Sequence, residues 1–192
     1  MSWIETYTGR KIRPLNPRVE DIHLEDIAHA LSQICRFTGH TKHFWSVAQH
    51  SLLVHNLIVE QYPNASVDIR LQALLHDASE AYLCDIASPI KQHMPQYKED
   101  EKRMEAVIAD RFNLSHPWDR RVKQADVVSL CIEARELMPS KGADWEVFDV
   151  ETIAQGRSIP RGLLLSNMVT VEDLFSQRVR NLIGFSREAV VV

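Results

Sequence analysis

Cysteine is scarce in this sequence. Three are present, Cys35, Cys84 and Cys131, and they are widely separated, odd in number and without a CxxC pair. This pattern argues against both a disulfide framework and a zinc ribbon. Each cysteine lies within an apolar helical pattern, so we predict three small buried side chains in a protein of the reducing cytoplasm.

Long apolar runs and an excess of basic residues are also missing. No stretch approaches the roughly 20 residues of a membrane span, and the opening MSWIETYTGRK lacks the apolar core of a signal peptide, so we expect neither a membrane helix nor a leader. Lys and Arg number 22 against 26 Asp and Glu, giving a net charge of -4. The sequence therefore offers no basic surface for a nucleic acid polymer, although local basic residues suffice for a small phosphate.

What the sequence does contain is helical periodicity. Apolar residues recur at helical spacing from residue 24 onward, with Ser46 placed as an N-cap and Pro63 as a stop for the second helix. The predicted helices begin near 24, run from 47 to before Pro63, and cover 64–83, 96–112, the region from Pro117 to near Pro139, and 171–183. The charged run KEDEKRMEAV is predicted to be the solvated face of the fourth helix.

Residues 3–14 predict a short β-hairpin around the Thr8-Gly9 turn. No repeat or second domain is evident, so we predict one all-α domain over 1–192, a compact helical bundle with a small N-terminal β-hairpin. Its parts are a hairpin and connector over 1–20, a helical core over 21–138, and an irregular segment with a C-terminal helix over 139–192.

Four ionisable residues interrupt the apolar faces of three predicted helices. His50 lies in the second helix, His76 and Asp77 lie in the third, and Asp126 lies in the fifth. Imidazole and carboxylate ligands together suit a divalent first-row metal, and helices hold such ligands rigidly. Taken singly, each residue is more often structural, because a buried histidine usually has a core partner and Asp126 has the option of pairing with Lys123.

Further charged residues surround this set. Glu80 follows His76 by four residues, on the same helical face, and is placed to orient or deprotonate a water molecule. Lys123 precedes Asp126 by three residues, where an ammonium would lie beside a substrate phosphate. Arg36 and Lys91 border the nearest loops and would complete an anion clamp.

The motifs that carry these residues resemble a known family. The order His50, His76-Asp77, Asp126 resembles the H…HD…D signature of the HD-domain metal-dependent phosphohydrolases. The segments AQHS, ALLHDASEAYLCDIASPIK and KQAD are similar to the small 5'-deoxynucleotidase type. The opening TYTGRKIRPLNP and the segment EDIAHALSQICRFTGHTKHFWSVAQHS resemble a prophage and phage subgroup that includes deoxyadenosine triphosphate triphosphohydrolases. The similarity covers roughly residues 3–135.

The resemblance implies a role for each matching residue. The implied metal ligands are His50, His76, Asp77 and Asp126. The implied catalytic carboxylates are Glu80, which activates the attacking water, and Asp77, which helps to align it. The implied phosphate-binding residues are Arg36, Lys91 and Lys123.

Three more residues are assigned by the resemblance to the sugar and the base. Asp85 would meet the sugar near its 3' hydroxyl. Phe37 stands where relatives often have a tryptophan, close to the base or sugar. Gly39 would shape the same pocket wall, where a glycine leaves room for the edge of a base.

The implied activity is hydrolysis of a phosphate ester or anhydride on a deoxynucleotide, with one divalent ion drawn from cobalt, manganese, zinc, iron and magnesium. A 5'-deoxynucleotidase and a dNTP or dATP triphosphohydrolase both remain open. The alternatives are an HD phosphodiesterase that acts on another nucleotide and a catalytically silent nucleotide-binding module. Relatives are dimers or larger, so we expect a homo-oligomer in the cytoplasm of a bacterial or phage-infected cell.

Overall fold

The computed structural model describes residues 2–143, 145 and 149–188. Part of the segment predicted over 139–192 therefore lies outside the described residues. Two short strands are present, β1 (Ile4–Glu5) and β2 (Lys11–Ile12). The described helices are α1 (Leu24–Gln33), α2 (Val47–Gln61), α3 (Val67–Leu75), α4 (Glu80–Leu83), α5 (Ser88–Lys91), α6 (Pro95–Phe112), α7 (Arg120–Leu137), α8 (Val150–Ala154), α9 (Arg161–Leu164) and α10 (Met168–Glu188). The prediction of an all-α bundle with a small N-terminal hairpin is confirmed.

The hairpin is fastened to the first helix by one buried carboxylate. β1 and β2 pair antiparallel, with Ile4 opposite Ile12, and Gly9 adopts the positive φ of 77° that the turn requires. The Asp26 side chain of α1 accepts hydrogen bonds from the Thr8 backbone amide at 2.8 Å and from the Thr8 hydroxyl at 3.0 Å. The bonds satisfy a carboxylate that is almost fully buried, and they hold the hairpin against the bundle.

The second helix begins as its sequence predicts. The Ser46 hydroxyl accepts from the Gln49 amide, and the Gln49 side chain accepts from the Ser46 amide, which makes a capping box. α2 is the central helix of the bundle: it packs against α3, α7, α1 and α10. Eleven of its fifteen residues are buried, among them His50.

The prediction of one continuous helix over 64–83 is wrong in its middle. α3 ends at Leu75, and the next turn tightens, because Ala78 donates to the Leu75 carbonyl and Glu80 donates to the Asp77 carbonyl, both at 3.0 Å. Residues three apart eclipse one another in such a 3-10 turn. Glu80 therefore follows Asp77 by one 3-10 turn, rather than following His76 at ordinary α-helical spacing.

The last helix closes the bundle over α1, α2 and α3. Val171, Phe175 and Val179 form its buried face. Arg178 donates to His55 Nδ1 at 3.1 Å and to the Asn56 side chain. The bond from Arg178 requires a lone pair on Nδ1, so His55 is neutral in the folded protein.

We expect this contact to make the protein less stable in acid. Burial, together with Arg178 and Arg70, lowers the pKa of His55 from 6.5 to about 4. The unfolded chain therefore takes up the proton first, so the stability due to neutral His55 is complete above pH 6.5 and declines as the pH falls towards 4. The loss is on the order of 3 kcal/mol. The free energy of unfolding, measured with urea at pH 7 and at pH 4.5, should differ less between the two pH values for His55→Gln than for wild type.

The exposed His93 provides the matched control for this measurement. His93→Gln should keep the wild-type difference between the two pH values. If the free energy of unfolding changed equally between the two pH values in His55→Gln and wild type, the acid sensitivity could not be assigned to His55.

The cysteines depart in part from expectation. All three are free thiols, Cys131 is buried and Cys35 is half-buried, but Cys84 is exposed. The prediction of burial is wrong for Cys84 because α4 ends at Leu83 and the chain leaves the bundle surface there. Across the described residues, no helix combines the length and apolar character needed to cross a membrane.

Candidate metal centre and substrate cleft

Four side chains from α2, α7 and the tight turn after α3 converge on one point. His50 Nε2 lies 3.3 Å from His76 Nε2 and 3.1 Å from Asp126 Oδ1. Asp77 Oδ2 lies 3.4 Å from His50 Nε2 and 3.3 Å from His76 Nε2. His50, His76 and Asp126 offer ligand atoms within 4.8 Å of one another. The structure thus brings together all four residues predicted as metal ligands, and Asp126 contacts His50 instead of pairing with Lys123.

The hydrogen bonds of the two histidines leave the correct nitrogen for a metal. His50 Nδ1 donates to the Glu133 carboxylate at 2.7 Å, and His76 Nδ1 donates to the Ala73 carbonyl at 3.1 Å. Both partners only accept, so in the neutral imidazoles, the form that binds metal, both Nε2 atoms present lone pairs to the same point, beside two carboxylates. A divalent cation satisfies this donor set, and a partner on the second imidazole nitrogen is usual for metal-bound histidine.

Glu133 is a site residue that the sequence reasoning missed. Glu133 is fully buried. Besides the bond from His50, its carboxylate accepts from the Ser129 hydroxyl at 3.0 Å and from Arg36 Nε at 3.0 Å. A signal was available, because Glu133 follows Asp126 by seven residues, two turns along the same face of α7, among apolar neighbours. The result is a buried relay in which Glu133 orients His50, a predicted metal ligand, and Arg36 compensates the charge of Glu133.

Replacing Glu133 with glutamine should weaken divalent metal binding by about 10- to 100-fold. The amide has nearly the same shape, but it offers a neutral oxygen to His50 and leaves Arg36 less well compensated. Titration calorimetry with Mn²⁺ measures the change, after circular dichroism has confirmed a folded variant. The exposed Glu151 supplies the control, and Glu151→Gln should bind metal as wild type does. Wild-type affinity in folded Glu133→Gln would contradict the relay.

Opposing electrostatic effects act within the cluster. Burial and Arg36 disfavour the charged form of His50, yet Glu133 and Asp126 raise its pKa to about 10. Burial opposes ionisation of Glu133, but Arg36 and His50 lower its pKa to about 2. Burial likewise works against Asp77, while His76, His50 and Arg36 lower the pKa of that carboxyl.

Glu80 experiences the opposite environment. Burial, followed by the negative charges of Asp77 and Asp85, raises its pKa well above the usual range of a glutamate. Its Oε2 is buried and has no hydrogen-bond partner among the described residues. A raised pKa and an unpaired oxygen beside the His50, His76 and Asp77 cluster make Glu80 a candidate for proton exchange with a ligand.

The loop before α2 places Arg36 and Phe37 at one edge of the cluster. Arg36 lies 3.7 Å from Asp77 Oδ2, and its guanidinium lies over the Phe37 ring at 5.5 Å. Phe37, Thr38 and Gly39 take three successive positive φ values of 53°, 53° and 78°. A Cβ on Gly39 would meet Cys35 Sγ at an ordinary 3.7 Å. The backbone conformation alone therefore favours glycine at position 39, and the space for a base edge stays a prediction.

The remaining predicted substrate residues lie after α4, in α5 and in α7. Asp85 follows α4, where burial and Asp77 raise its pKa against the opposing effect of Arg36. Lys91, predicted to hold phosphate, donates to Glu101 Oε1 of α6 at 2.7 Å. Lys123 is exposed on α7, one turn before Asp126, and within the described side chains it forms no ion pair.

The prediction that the charged run of α6 faces solvent is wrong for one of its faces. Tyr97, Glu101 and Glu105 are spaced by four residues, and each is partly buried. Glu105 pairs with His116 at 3.4 Å, while Glu101 holds Lys91. This face, which we call the α6 polar face, forms a wall beside the segment that carries Asp85 and Lys91.

Comparison with known proteins assigns the chain to a family. A family model described as YfbR-like 5'-deoxynucleotidase matches residues 29–123, a range that contains His50, His76, Asp77, Glu80 and Asp85. The Escherichia coli K12 protein YfdR, described as uncharacterized, is 39% identical over 149 residues, which are 78% of this chain and 80% of YfdR. An uncharacterized protein of Rhodobacter capsulatus is 38% identical over 143 residues, 71% of this chain and 73% of that protein. The chain belongs to the YfbR-like 5'-deoxynucleotidase family, of HD-domain type.

Proposed function

We propose that this protein is a divalent-metal-dependent 5'-deoxynucleotidase, which hydrolyses deoxynucleoside monophosphates to deoxynucleoside and phosphate. The observation that carries the proposal is the meeting of two imidazole Nε2 atoms and two carboxylates beside Glu80, a buried carboxylate with a free oxygen. Family membership supports the same reaction class.

His50, His76, Asp77 and Asp126 would hold the ion in this proposal. When bound, it would polarise a phosphoryl oxygen and help to lower the pKa of the attacking water. Glu133 fixes the His50 ring, and the Ala73 carbonyl fixes the His76 ring, so both ligands are oriented before substrate arrives.

Glu80 would accept and then donate the proton that is transferred in the reaction. The water oxygen forms a bond to phosphorus as Glu80 takes a proton from the water, and the bond between phosphorus and O5' breaks. The proton then passes to O5', which leaves as the 5' hydroxyl of the deoxynucleoside, while phosphate is the other product. The raised pKa of Glu80 brings its proton exchange nearer to neutral pH, where such a group works best.

The charges of the cleft favour a monophosphate over a triphosphate. Both substrates would break the same P–O5' bond, but a triphosphate brings roughly twice the negative charge. Two of the three predicted phosphate-binding residues already contact carboxylates, Arg36 at Glu133 and Asp77 and Lys91 at Glu101. Glu105 of the α6 polar face adds a carboxylate close enough to act electrostatically with Glu101 and Asp77. Of the three predicted phosphate-binding residues, only Lys123 has no carboxylate partner within the described side chains, which leaves little positive charge for a longer phosphate chain.

A substrate panel tests the proposal. Deoxy- and ribonucleoside mono- and triphosphates are each incubated with Co²⁺, Mn²⁺, Mg²⁺ or Zn²⁺, and phosphate and tripolyphosphate are measured separately. We expect phosphate from deoxynucleoside monophosphates with at least one ion. Tripolyphosphate as the main product would replace this proposal with a triphosphohydrolase, including one specific for dATP. Binding without any hydrolysis would favour a silent nucleotide-binding module.

A further inference from the structure

Cys84, the residue that follows α4, has a backbone conformation that cysteine does not favour. Cys84 has φ 70° and ψ 156°, in a region populated almost only by glycine. Side chains in this region carry steric strain, so the surrounding structure must hold the residue there. Asp85, the predicted sugar-binding residue, comes directly after it.

Two hydrogen bonds hold the Cys84 residue in place. Its amide donates to the Glu80 carbonyl at 2.9 Å, and its carbonyl accepts from the Tyr97 hydroxyl at 2.6 Å. Burial, together with Glu101 and Glu80, raises the pKa of Tyr97, so the phenol stays protonated and remains a donor. The phenol bond is the one supplied from another helix, α6.

The α6 polar face holds the other end of the same segment as well. Glu101, one turn after Tyr97, accepts from Lys91 at 2.7 Å, and the Lys91 ammonium lies 5.6 Å from the centre of the Tyr97 ring. The segment from Cys84 to Lys91 is thus fastened to α6 at both ends. Asp85 and Lys91, both predicted to bind substrate, have their positions set by these contacts.

We infer that Tyr97 is a positioning residue that holds the strained Cys84 peptide and thereby fixes Asp85 in the substrate cleft. The turnover part of its test rests on the proposed function, but the coupling of Tyr97 to Cys84 is measurable without turnover. Glycine adopts the observed conformation freely, so a glycine at position 84 should make the phenol largely dispensable.

The test compares wild type, Tyr97→Phe, Cys84→Gly and the double variant. Tyr97→Phe should raise the KM for a deoxynucleoside monophosphate about tenfold, with kcat changed less. It should also speed hydrogen exchange of the backbone amides over 84–91, measured by mass spectrometry on the metal-free protein. Cys84→Gly should raise Tm by about 2–6 °C through relief of strain. In the double variant, both KM and exchange should return to within about twofold of wild type.

Tyr7→Phe is the control, because Tyr7 is exposed and its ring stacking on His29 survives the loss of the hydroxyl. It should leave KM and exchange unchanged. Wild-type KM and exchange in Tyr97→Phe would overturn the inference, and so would a double variant as impaired as Tyr97→Phe. If no protein in the series hydrolyses nucleotide but the exchange pattern appears as expected, the positioning role is supported and the proposed function is overturned.

Discussion

Replacing Asp126 with asparagine is expected to lower turnover about 10³-fold, because it removes a charged ligand from the metal cluster. Asp126 Oδ1 lies 3.1 Å from His50 Nε2, and Asp126 is the only one of the four predicted ligands that α7 contributes. Its side chain is 42% exposed, so the isosteric amide leaves neither a cavity nor a buried unpaired charge. The folded protein should therefore keep its stability while it loses metal affinity and activity.

Titration calorimetry and steady-state kinetics check this expectation on the same preparation. Asp110→Asn, an equivalent change at an exposed carboxylate of α6, is the control and should behave as wild type. Asp126→Asn with wild-type affinity for Mn²⁺ would remove Asp126 from the ligand set. Normal affinity with lost turnover would assign Asp126 to substrate instead.

Glu80→Gln should reduce kcat by roughly 10²- to 10⁴-fold and leave metal affinity unchanged. Glu80 is buried beside Asp77, and its Oε2 has no partner among the described residues, so the amide can occupy the same space. The amide can neither accept the proton of the attacking water nor pass it on to O5', and this proton exchange is the role that we propose for Glu80. Because the buried carboxyl has a raised pKa, removing its charge should also stabilise the protein slightly near neutral pH.

Measurements of kcat, metal affinity and Tm on the same variant separate this role from that of a ligand. Glu99→Gln, on the exposed side of α6, is the matched control and should change none of them. Unchanged turnover in Glu80→Gln would end the assignment of Glu80 as the proton-exchanging group. A matching loss of metal affinity would make Glu80 a ligand.

The features that the sequence predicted well are those set by neighbouring residues. The N-cap at Ser46 and the turn at Gly9 depend on a few consecutive residues, and both appear where the sequence places them. The clustering of the predicted metal ligands was suggested by apolar patterning, and the family resemblance assigned the set. His50, His76 and Asp126 interrupt apolar helical faces, and such faces meet in the core, so the helices bring the interruptions together.

The features that were missed depend on contacts between distant residues. Glu133 lies 83 residues from its partner His50, and only the packing of α7 on α2 shows that the two meet. Helix α6 has few buried apolar residues, Met104 and Ile108 among them, so its pattern did not define which polar side faces the cleft. Tyr97 and Glu101 were consequently not distinguished from a solvated surface. The tight turn at Asp77 was missed because apolar spacing does not distinguish a 3-10 turn from an α-helix over so short a distance.

Metal dependence of phosphate release is the most direct test of the whole account. Protein stripped with a chelator is assayed for phosphate release from a deoxynucleoside monophosphate, before and after addition of one equivalent of Mn²⁺ or Co²⁺. The cluster of His50, His76, Asp77 and Asp126 predicts no release from the stripped protein and full recovery with one of the two ions. Undiminished release from the metal-free protein, or none with either ion, would contradict it.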